Sequence, residues 1–112
     1  MKRLHLICRR EGLSYRGVEK VEGVKNMYIS GSWDIALDEA KNLIGGQLFL
    51  HASKTERSTF GGTVVDVFPV EIEDKARKNR VQFQFLASKD CKNVSWGGAN
   101  HSMAWSSGIY DV

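Results

Sequence analysis

Two segments in the second half of the sequence constrain the fold of this chain more than any other feature. The first is apolar at nearly every position, and the second alternates between apolar and polar residues. Residues 64–70 are apolar at nearly every position, which is typical of a strand covered on both faces. Residues 81–85 alternate between apolar side chains and glutamine, which predicts a strand with one buried face over residues 80–86. With a polar turn at residues 74–79, the pattern predicts an antiparallel hairpin. We expect Pro69 at a bulge or an edge, because it has no N–H to donate to a neighbouring strand.

Shorter strand patterns surround this hairpin. Leu4, Leu6 and Cys8 occupy alternate positions, which predicts a first strand with one face on the core. The remaining strands are predicted over residues 26–29, 47–53, 94–96 and 109–112, and the first strand of the hairpin over residues 63–72. Five or six strands with one short helix predict an α+β fold, namely a small, mostly antiparallel and partly closed β-barrel.

The helix is predicted before the hairpin and is about two to three turns long. Ser32 or Asp34 can cap its N-terminus with a side-chain oxygen. Gly45 and Gly46 supply a left-handed stop at its C-terminus. Its apolar face is expected to consist of Leu37, Ala40, Leu43 and Ile44.

Composition places the chain among globular proteins. It has 112 residues, of which 42% are hydrophobic, so we expect one domain over residues 1–112 that folds without disulfides or metals. No apolar run approaches the roughly 18 residues that a membrane-spanning helix needs. The N-terminal apolar run is short and interrupted by His5, unlike a signal peptide. We therefore expect a soluble, cytoplasmic protein without a membrane partner.

Neither the cysteines nor the histidines form a recognisable metal or redox motif. Cys8 and Cys91 are far apart and lie in no CxxC sequence, so we expect two packed thiols. His5, His51 and His101 are widely spaced, whereas a zinc site needs about four clustered ligands. The sequence predicts no metal and no other cofactor.

Basic residues are concentrated near the N-terminus, although the formal net charge is only +3. The first twenty residues contain Lys2, Arg3, Arg9, Arg10, Arg16 and Lys20. Such a cluster can bind phosphates, and Arg9 and Arg10 are candidate nucleic-acid contacts. The alternative is a basic strand that only keeps the protein soluble.

A polar segment follows the predicted strand over residues 47–53. It contains His51, Lys54, Arg57 and Ser58. An imidazole, two cations and a hydroxyl can bind an anion or a base edge, and the glycines at positions 61 and 62 leave room for a ligand beside the backbone. The alternative is an ordinary polar surface loop. We also expect His51 to point away from Leu50 and to contact a ligand or the loop at residues 54–58.

The three tryptophans lie outside the alternating strands. Trp33, Trp96 and Trp105 are each flanked by serine or glycine. Aromatic side chains in such loops can stack on nucleobases, and the alternative is that they cover the ends of the barrel. Trp96 is the strongest candidate, because Gly97 and Gly98 have no side chains to cover its ring.

Catalysis has no supporting motif. The sequence contains no Gly-x-Ser-x-Gly elbow, no Walker loop and no dinucleotide fingerprint. His51 or His101 can be combined with a serine or with Cys91 as a nucleophile and base, but almost any chain of this length permits that. No catalytic residue is predicted, and a small hydrolase or nuclease is the less favoured reading.

The order of motifs from residue 33 to residue 67 resembles the PUA-like superfamily, especially its EVE and ASCH branches. Trp33 precedes a short helix, and an apolar strand then ends in His51-Ala52-Ser53. A polar loop and a glycine-led, valine-rich strand follow. The resemblance implies a pseudo-barrel that binds RNA or DNA, often through a modified base in an aromatic pocket. The positions that match are Trp33, His51, Ser53 and Lys54.

Together, these features favour a non-catalytic nucleic-acid-binding domain that reads a modified or unstacked base. The candidate site residues are Trp33, His51, Ser53, Lys54, Arg57, Ser58, Trp96, Trp105, Arg9 and Arg10. The first alternative is a small module that binds a protein partner as an inhibitor or accessory factor.

Overall fold

A computed structural model describes residues 1–8, 10–11, 14–15, 17–70, 80–97 and 106–111, without the side chains of residues 10, 11 and 14. Within these ranges the strands are β1 (Lys2–Ile7), β2 (Arg10–Glu11), β3 (Ser14–Tyr15), β4 (Glu19–Lys20), β5 (Met27–Ile29), β6 (Gln47–His51), β7 (Phe60–Val70), β8 (Arg80–Ala87) and β9 (Tyr110–Asp111). The helix α1 (Leu37–Lys41) precedes β6, and a 3-10 helix (Lys89–Cys91) follows β8.

Seven strands form one sheet in the order β4-β5-β8-β7-β6-β1-β9. β1 and β6 are parallel, and the other pairs in this sheet are antiparallel. A separate two-stranded ribbon joins β2 and β3. The edge strands β4 and β9 do not pair with each other within the described residues, so the sheet is open there. The predicted α+β, mostly antiparallel architecture with one short helix is confirmed, whereas a barrel is not.

The central hairpin is formed by β7 and β8, as the sequence predicts. Val81, Phe83 and Phe85 of β8 are buried, which confirms the alternation. The prediction that the first strand is covered on both faces is wrong, since Val65 is 40% exposed. A bulge lies between Val64 and Asp66. β6 pairs with β7 only as far as Thr63, so the later part of β7 has β8 as its strand partner and solvent on one face.

Gly61 and Gly62 lie inside β7 rather than in a loop before it. A Cβ atom on Gly61 would collide with the carbonyl oxygen of Leu48, and one on Gly62 with the carbonyl oxygen of Leu86. These glycines therefore allow close strand packing. The expectation that they leave room for a ligand is wrong, because neighbouring strands occupy that space.

The helix is shorter than predicted. It has five residues, and its N-cap is Ala36 without a side-chain cap, so neither Ser32 nor Asp34 takes that role. Ala40 and Leu43 are buried as expected, but Ile44 is 46% exposed because the chain has left the helix there. Gly45 adopts a φ of +86°, and its N–H donates to the carbonyl oxygen of Val64. The predicted glycine stop is wrong, because the helix already ends at Lys41 with Asn42 as its C-cap, and Gly45 lies in the turn that follows.

The core lies on the face of the sheet that carries the leucines of β1 and β6. The buried side chains include Leu4, Leu6, Leu48, Leu50, Val64, Phe83 and Phe85. Cys8 and Cys91 are both buried, as predicted. Residues 94–96 do not form the predicted strand. The described residues include no helix long and apolar enough to cross a membrane.

Candidate binding site

The parallel pairing of β1 and β6 brings two histidines together. His5 lies opposite Phe49 in the register, and Ile7 lies opposite His51. Because side chains alternate along a strand, His5 and His51 share the face opposite the leucine core. Both histidines are fully buried. This side of the sheet therefore carries a second, polar and aromatic interior.

Three hydrogen bonds connect these histidines to Tyr110 and to the loop after β6. His51 Nδ1 is 2.8 Å from the carbonyl oxygen of Glu56. His51 Nε2 is 2.7 Å from His5 Nδ1, and His5 Nε2 is 2.6 Å from the hydroxyl of Tyr110. We call this set of three bonds the histidine chain.

The carbonyl at one end fixes the direction of the histidine chain. A carbonyl oxygen only accepts, so the Nδ1–H of His51 must donate to Glu56. In a neutral ring the other nitrogen then accepts, so the Nδ1–H of His5 donates to His51. By the same rule, the hydroxyl of Tyr110 donates to His5 Nε2. Every bond therefore points from Tyr110 towards the loop.

Burial keeps both imidazoles neutral. The pKa of His5 falls from 6.5 to about 4, chiefly through burial and then through the charges of His51 and Arg3. Burial also lowers the pKa of His51, against the opposing effect of its hydrogen bond to Glu56. The pKa of Tyr110 is raised, because burial outweighs the favourable effect of Arg3 on the phenolate. At neutral pH the histidine chain is therefore uncharged.

Aromatic rings surround the histidine chain. His5 stacks on Phe49 with centroids 4.5 Å apart and lies parallel to Tyr110 at 5.7 Å. The half-buried Trp96 contacts His51 edge-on at 5.0 Å and His5 at 5.6 Å. Trp96 therefore packs against both imidazoles while the residue itself stays half-buried.

Two cations flank this aromatic cluster. The guanidinium of Arg3 lies 5.4 Å from the centroid of the Phe49 ring and interacts with Tyr110. The ammonium of Lys54 lies 5.7 Å from the centroid of the Trp96 ring. Both distances permit cation–π attraction. The site therefore combines aromatic surface with positive charge on two sides.

Gly97 closes the site beside Tyr110. A Cβ atom at this position would collide with the Tyr110 hydroxyl and lie 3.3 Å from His5 Nε2. The sequence predicted that the glycines after Trp96 leave space for a planar ring near the backbone. At Gly97 that space is used by Tyr110 and His5, and Gly98 lies outside the described residues.

The structure brings together only part of the predicted site. His51, Lys54 and Trp96 converge, and the predicted hydrogen bond from His51 to the loop at residues 54–58 is confirmed through Glu56. Arg57 is exposed and donates through Nη1 to the carbonyl of Asn93 at 3.1 Å. A role for these residues in binding stays a prediction.

The two predicted serines hold the loop in shape. The hydroxyl of Ser58 donates to the carbonyl of Cys91 at 2.7 Å and accepts from the N–H of Val94 at 2.9 Å. Ser58 is only 3% exposed, so its polar capacity is used internally. The hydroxyl of Ser53 lies 3.1 Å from the carboxylate of Glu56 and spans the turn that presents the acceptor of His51.

Trp33 lies away from this site. It bridges Val81 near the start of β8, whereas Phe60 and Gly61, at the other end of the hairpin, pair with β6 next to His51. Trp33 packs against the hydrophobic core. Its indole Nε1 is buried and has no hydrogen-bond partner in the described part of the chain. Trp105, Arg9 and the side chain of Arg10 lie outside the described residues.

Sequence reasoning did not select His5, Tyr110 or Arg3 for this site. In the sequence, His5 stood out only as an interruption of the N-terminal apolar run and as one of three widely spaced histidines, and Arg3 only as part of the basic cluster. Two pairings were the missing signal. The parallel pairing of β1 with β6 brings His5 beside the strand of His51, and the antiparallel pairing of β9 with β1 places Tyr110 opposite Arg3. Lys2, from the same basic cluster, is paired with Asp111 at 2.7 Å.

The described residues contain no group of three or more metal-ligating side chains placed to hold an ion. A scan against protein-family models finds no match for this chain. A search of curated proteins and a search of solved structures also return no match. Fold and site thus define the protein by class, as an open α+β domain with a buried histidine pair beside a half-buried tryptophan.

Proposed function

We propose that this chain is a non-catalytic nucleic-acid-binding domain that holds an unstacked or modified base against Trp96. The proposal includes a PUA-like fold, in which the seven-stranded sheet curls into a partly closed barrel. It leaves RNA and DNA as alternatives and includes a cytoplasmic location.

The position of Trp96 is the observation that carries this proposal. Trp96 is half-buried, and its ring contacts the His51 ring edge-on at 5.0 Å and the tilted His5 ring at 5.6 Å, which fixes its position. A base that stacks on such a fixed ring gains about 1–3 kcal/mol. The ring does not have to be ordered on binding, so little of that gain is lost as conformational entropy.

Positive charge supports the same reading. Lys54 and Arg57 are exposed on the loop after β6, and Lys54 lies beside Trp96. A phosphate that neighbours a stacked base can therefore reach a cation. Lys2 contributes less, because Asp111 already neutralises it.

The hydrolase alternative has weaker support from the same geometry. A general base works best with a pKa near the working pH, but the pKa of His5 is about 4. Burial raises the pKa of the Cys91 thiol to about 11, which disfavours the nucleophilic thiolate. At neutral pH the His5 imidazole is therefore a weak general base, and the Cys91 thiol is a weak nucleophile.

Binding and its salt dependence test the proposal. We expect fluorescently labelled single-stranded RNA or DNA to bind with a log–log salt slope of roughly −2 to −4, as three to five cations release counterions. Lys54→Ala should reduce the magnitude of this slope by about 1. The control Lys20→Ala changes an exposed lysine of β4, at the opposite edge of the sheet from β9, and should leave the slope unchanged.

Failure to bind any RNA or DNA at low salt would contradict the proposal and favour the protein-binding alternative. Binding that does not depend on salt would contradict the role of the cations.

A further inference from the structure

The direction of the histidine chain determines what one added proton would do. In the neutral state the hydroxyl of Tyr110 donates inward to His5 Nε2. Two neutral imidazole rings have two N–H groups and two nitrogen lone pairs between them. After one proton is taken up from solvent, the two rings have three N–H groups and one lone pair. The bond from His51 to the carbonyl of Glu56 persists, because that nitrogen is already protonated.

The added proton is shared across the bond between the two rings. Whether His5 or His51 carries the charge, one nitrogen of the 2.7 Å contact donates and the other accepts. In both cases His5 Nε2 carries a hydrogen and must donate to the oxygen of Tyr110. The hydroxyl hydrogen of Tyr110 then has to turn outward and find another acceptor.

The surroundings of Tyr110 favour an acceptor supplied by a ligand. Arg3 lies beside Tyr110, and a guanidinium can only donate. The Nε of Arg3 is also buried and has no hydrogen-bond partner among the described residues. The outward hydroxyl of Tyr110 and the Nε–H of Arg3 are thus two donors that an oxyanion can satisfy.

We propose that the site binds a phosphate-type oxyanion at Arg3 and Tyr110 and that the His5–His51 pair takes up one proton when it does so. This proposal rests on the proposed function, since the phosphate of a bound nucleic acid supplies the oxyanion. It adds the group that is bound, the residues that bind it and the coupling to pH.

The charges around the pair explain the coupling. Among the described residues, the charged or titratable groups that face the pair are Arg3 on β1, Tyr110 on β9 and, through Trp96, Lys54 of the loop after β6. Glu56 faces the pair with its carbonyl, while its carboxylate accepts a bond from Ser53. Arg3 therefore opposes a positive charge on His5 until an anion offsets it. By linkage, protonation and anion binding then strengthen each other.

Calorimetric titration with an oligothymidylate of about ten residues tests the coupling, because thymine takes up no proton in this range. In buffers of different ionisation enthalpy, proton uptake should rise towards one as the pH falls from about 7.5 to about 5. The dissociation constant should fall by up to tenfold per pH unit where uptake approaches one.

Tyr110→Phe keeps the ring that stacks on His5 and removes the hydroxyl, so proton uptake and the pH dependence should both decrease. The control Tyr28→Phe removes a hydroxyl from a ring that packs on Phe60 and Phe85, and both should persist. Binding without proton uptake at any pH overturns the inference and leaves the proposed function standing.

Sulfate, which does not titrate near neutral pH, separates the two proposals. Proton uptake with sulfate but no binding of the oligothymidylate supports the oxyanion inference and contradicts nucleic-acid binding. No uptake with either probe overturns the inference.

Nitrogen-15 spectra of the free protein provide a check that needs no ligand. We expect protonated Nδ1 atoms on both His5 and His51 at neutral pH, and an Nε2–H tautomer on His51 would overturn the inference.

Discussion

His5 shows how a single residue acquires properties that its sequence position does not suggest. It is fully buried, and both nitrogens of its ring are hydrogen-bonded. A buried polar group is tolerated only when its hydrogen bonds are satisfied. Tyr110 and His51 meet this requirement for a neutral ring, and an additional proton forces the Tyr110 hydroxyl to rotate.

Protonation of His5 should therefore destabilise the free protein in acid. The unfolded chain binds the proton near pH 6.5, but the folded protein binds it only near pH 4. The stabilising effect of the neutral ring is thus complete above pH 6.5 and is lost as the pH falls towards 4. A shift of this size corresponds to about 3 kcal/mol by pH 4, measured by urea unfolding at intervals across this window.

Two variants separate this effect from other titrations. His5→Gln should be less stable at neutral pH, but its stability should change less between pH 6.5 and 4. Asp111→Asn should leave the loss in this window intact, because the pKa of Asp111 is lowered by Lys2 and its effect appears at lower pH. A wild-type stability that stays constant from pH 7 to pH 4 would contradict the account of His5.

Among the elements, the β7–β8 hairpin was the most predictable. The alternation from Val81 to Phe85 depends only on local sequence, because side chains alternate between the two faces of any strand. The exposure of Val65 was not predictable in the same way. It depends on where β6 stops pairing with β7, and local hydrophobicity does not specify the end of a neighbouring strand.

The site was predictable only where it depends on one element. His51 and the loop that follows it are adjacent in sequence, so their hydrogen bond could be anticipated. His5 joins them through parallel pairing between β1 and β6, which are separated by about forty residues. A strand pattern indicates a buried face but specifies neither the partner strand nor its direction. For the same reason Trp33 could not be separated from Trp96 by sequence alone.

Gly62 tests whether close strand packing, rather than ligand access, explains the glycines of β7. Gly62→Ala would place a methyl group against the carbonyl of Leu86, so we expect a loss of about 1–3 kcal/mol in the free energy of unfolding. The control is Thr63→Ala, which changes the neighbouring, exposed residue. It should lower the free energy of unfolding by less than about 1 kcal/mol. Equal stability of Gly62→Ala and the wild type in thermal unfolding would contradict this explanation.

On the scale of the whole molecule, the sheet places Trp33 and Trp96 in different surroundings, although both are flanked by serine or glycine in the sequence. Trp33 packs on the core near the start of β8, and Trp96 covers the histidine pair near the end of β6. One tryptophan therefore contributes mainly to folding and the other, in our account, mainly to binding. The net charge of +3 favours an anionic partner in general, but the cations beside Trp96 determine where it binds.

The most direct test of this account compares Trp96→Ala with Trp33→Ala in oligonucleotide binding and thermal unfolding, at a temperature where both variants are folded. We expect Trp96→Ala to melt within a few degrees of the wild type and to bind at least fivefold more weakly, since a stacked base contributes about 1–3 kcal/mol. Trp33→Ala should melt much lower and, while folded, bind with nearly wild-type affinity. If Trp96→Ala instead unfolds or melts far lower, or binds as tightly as the wild type, Trp96 is a structural side chain and the proposed site is wrong.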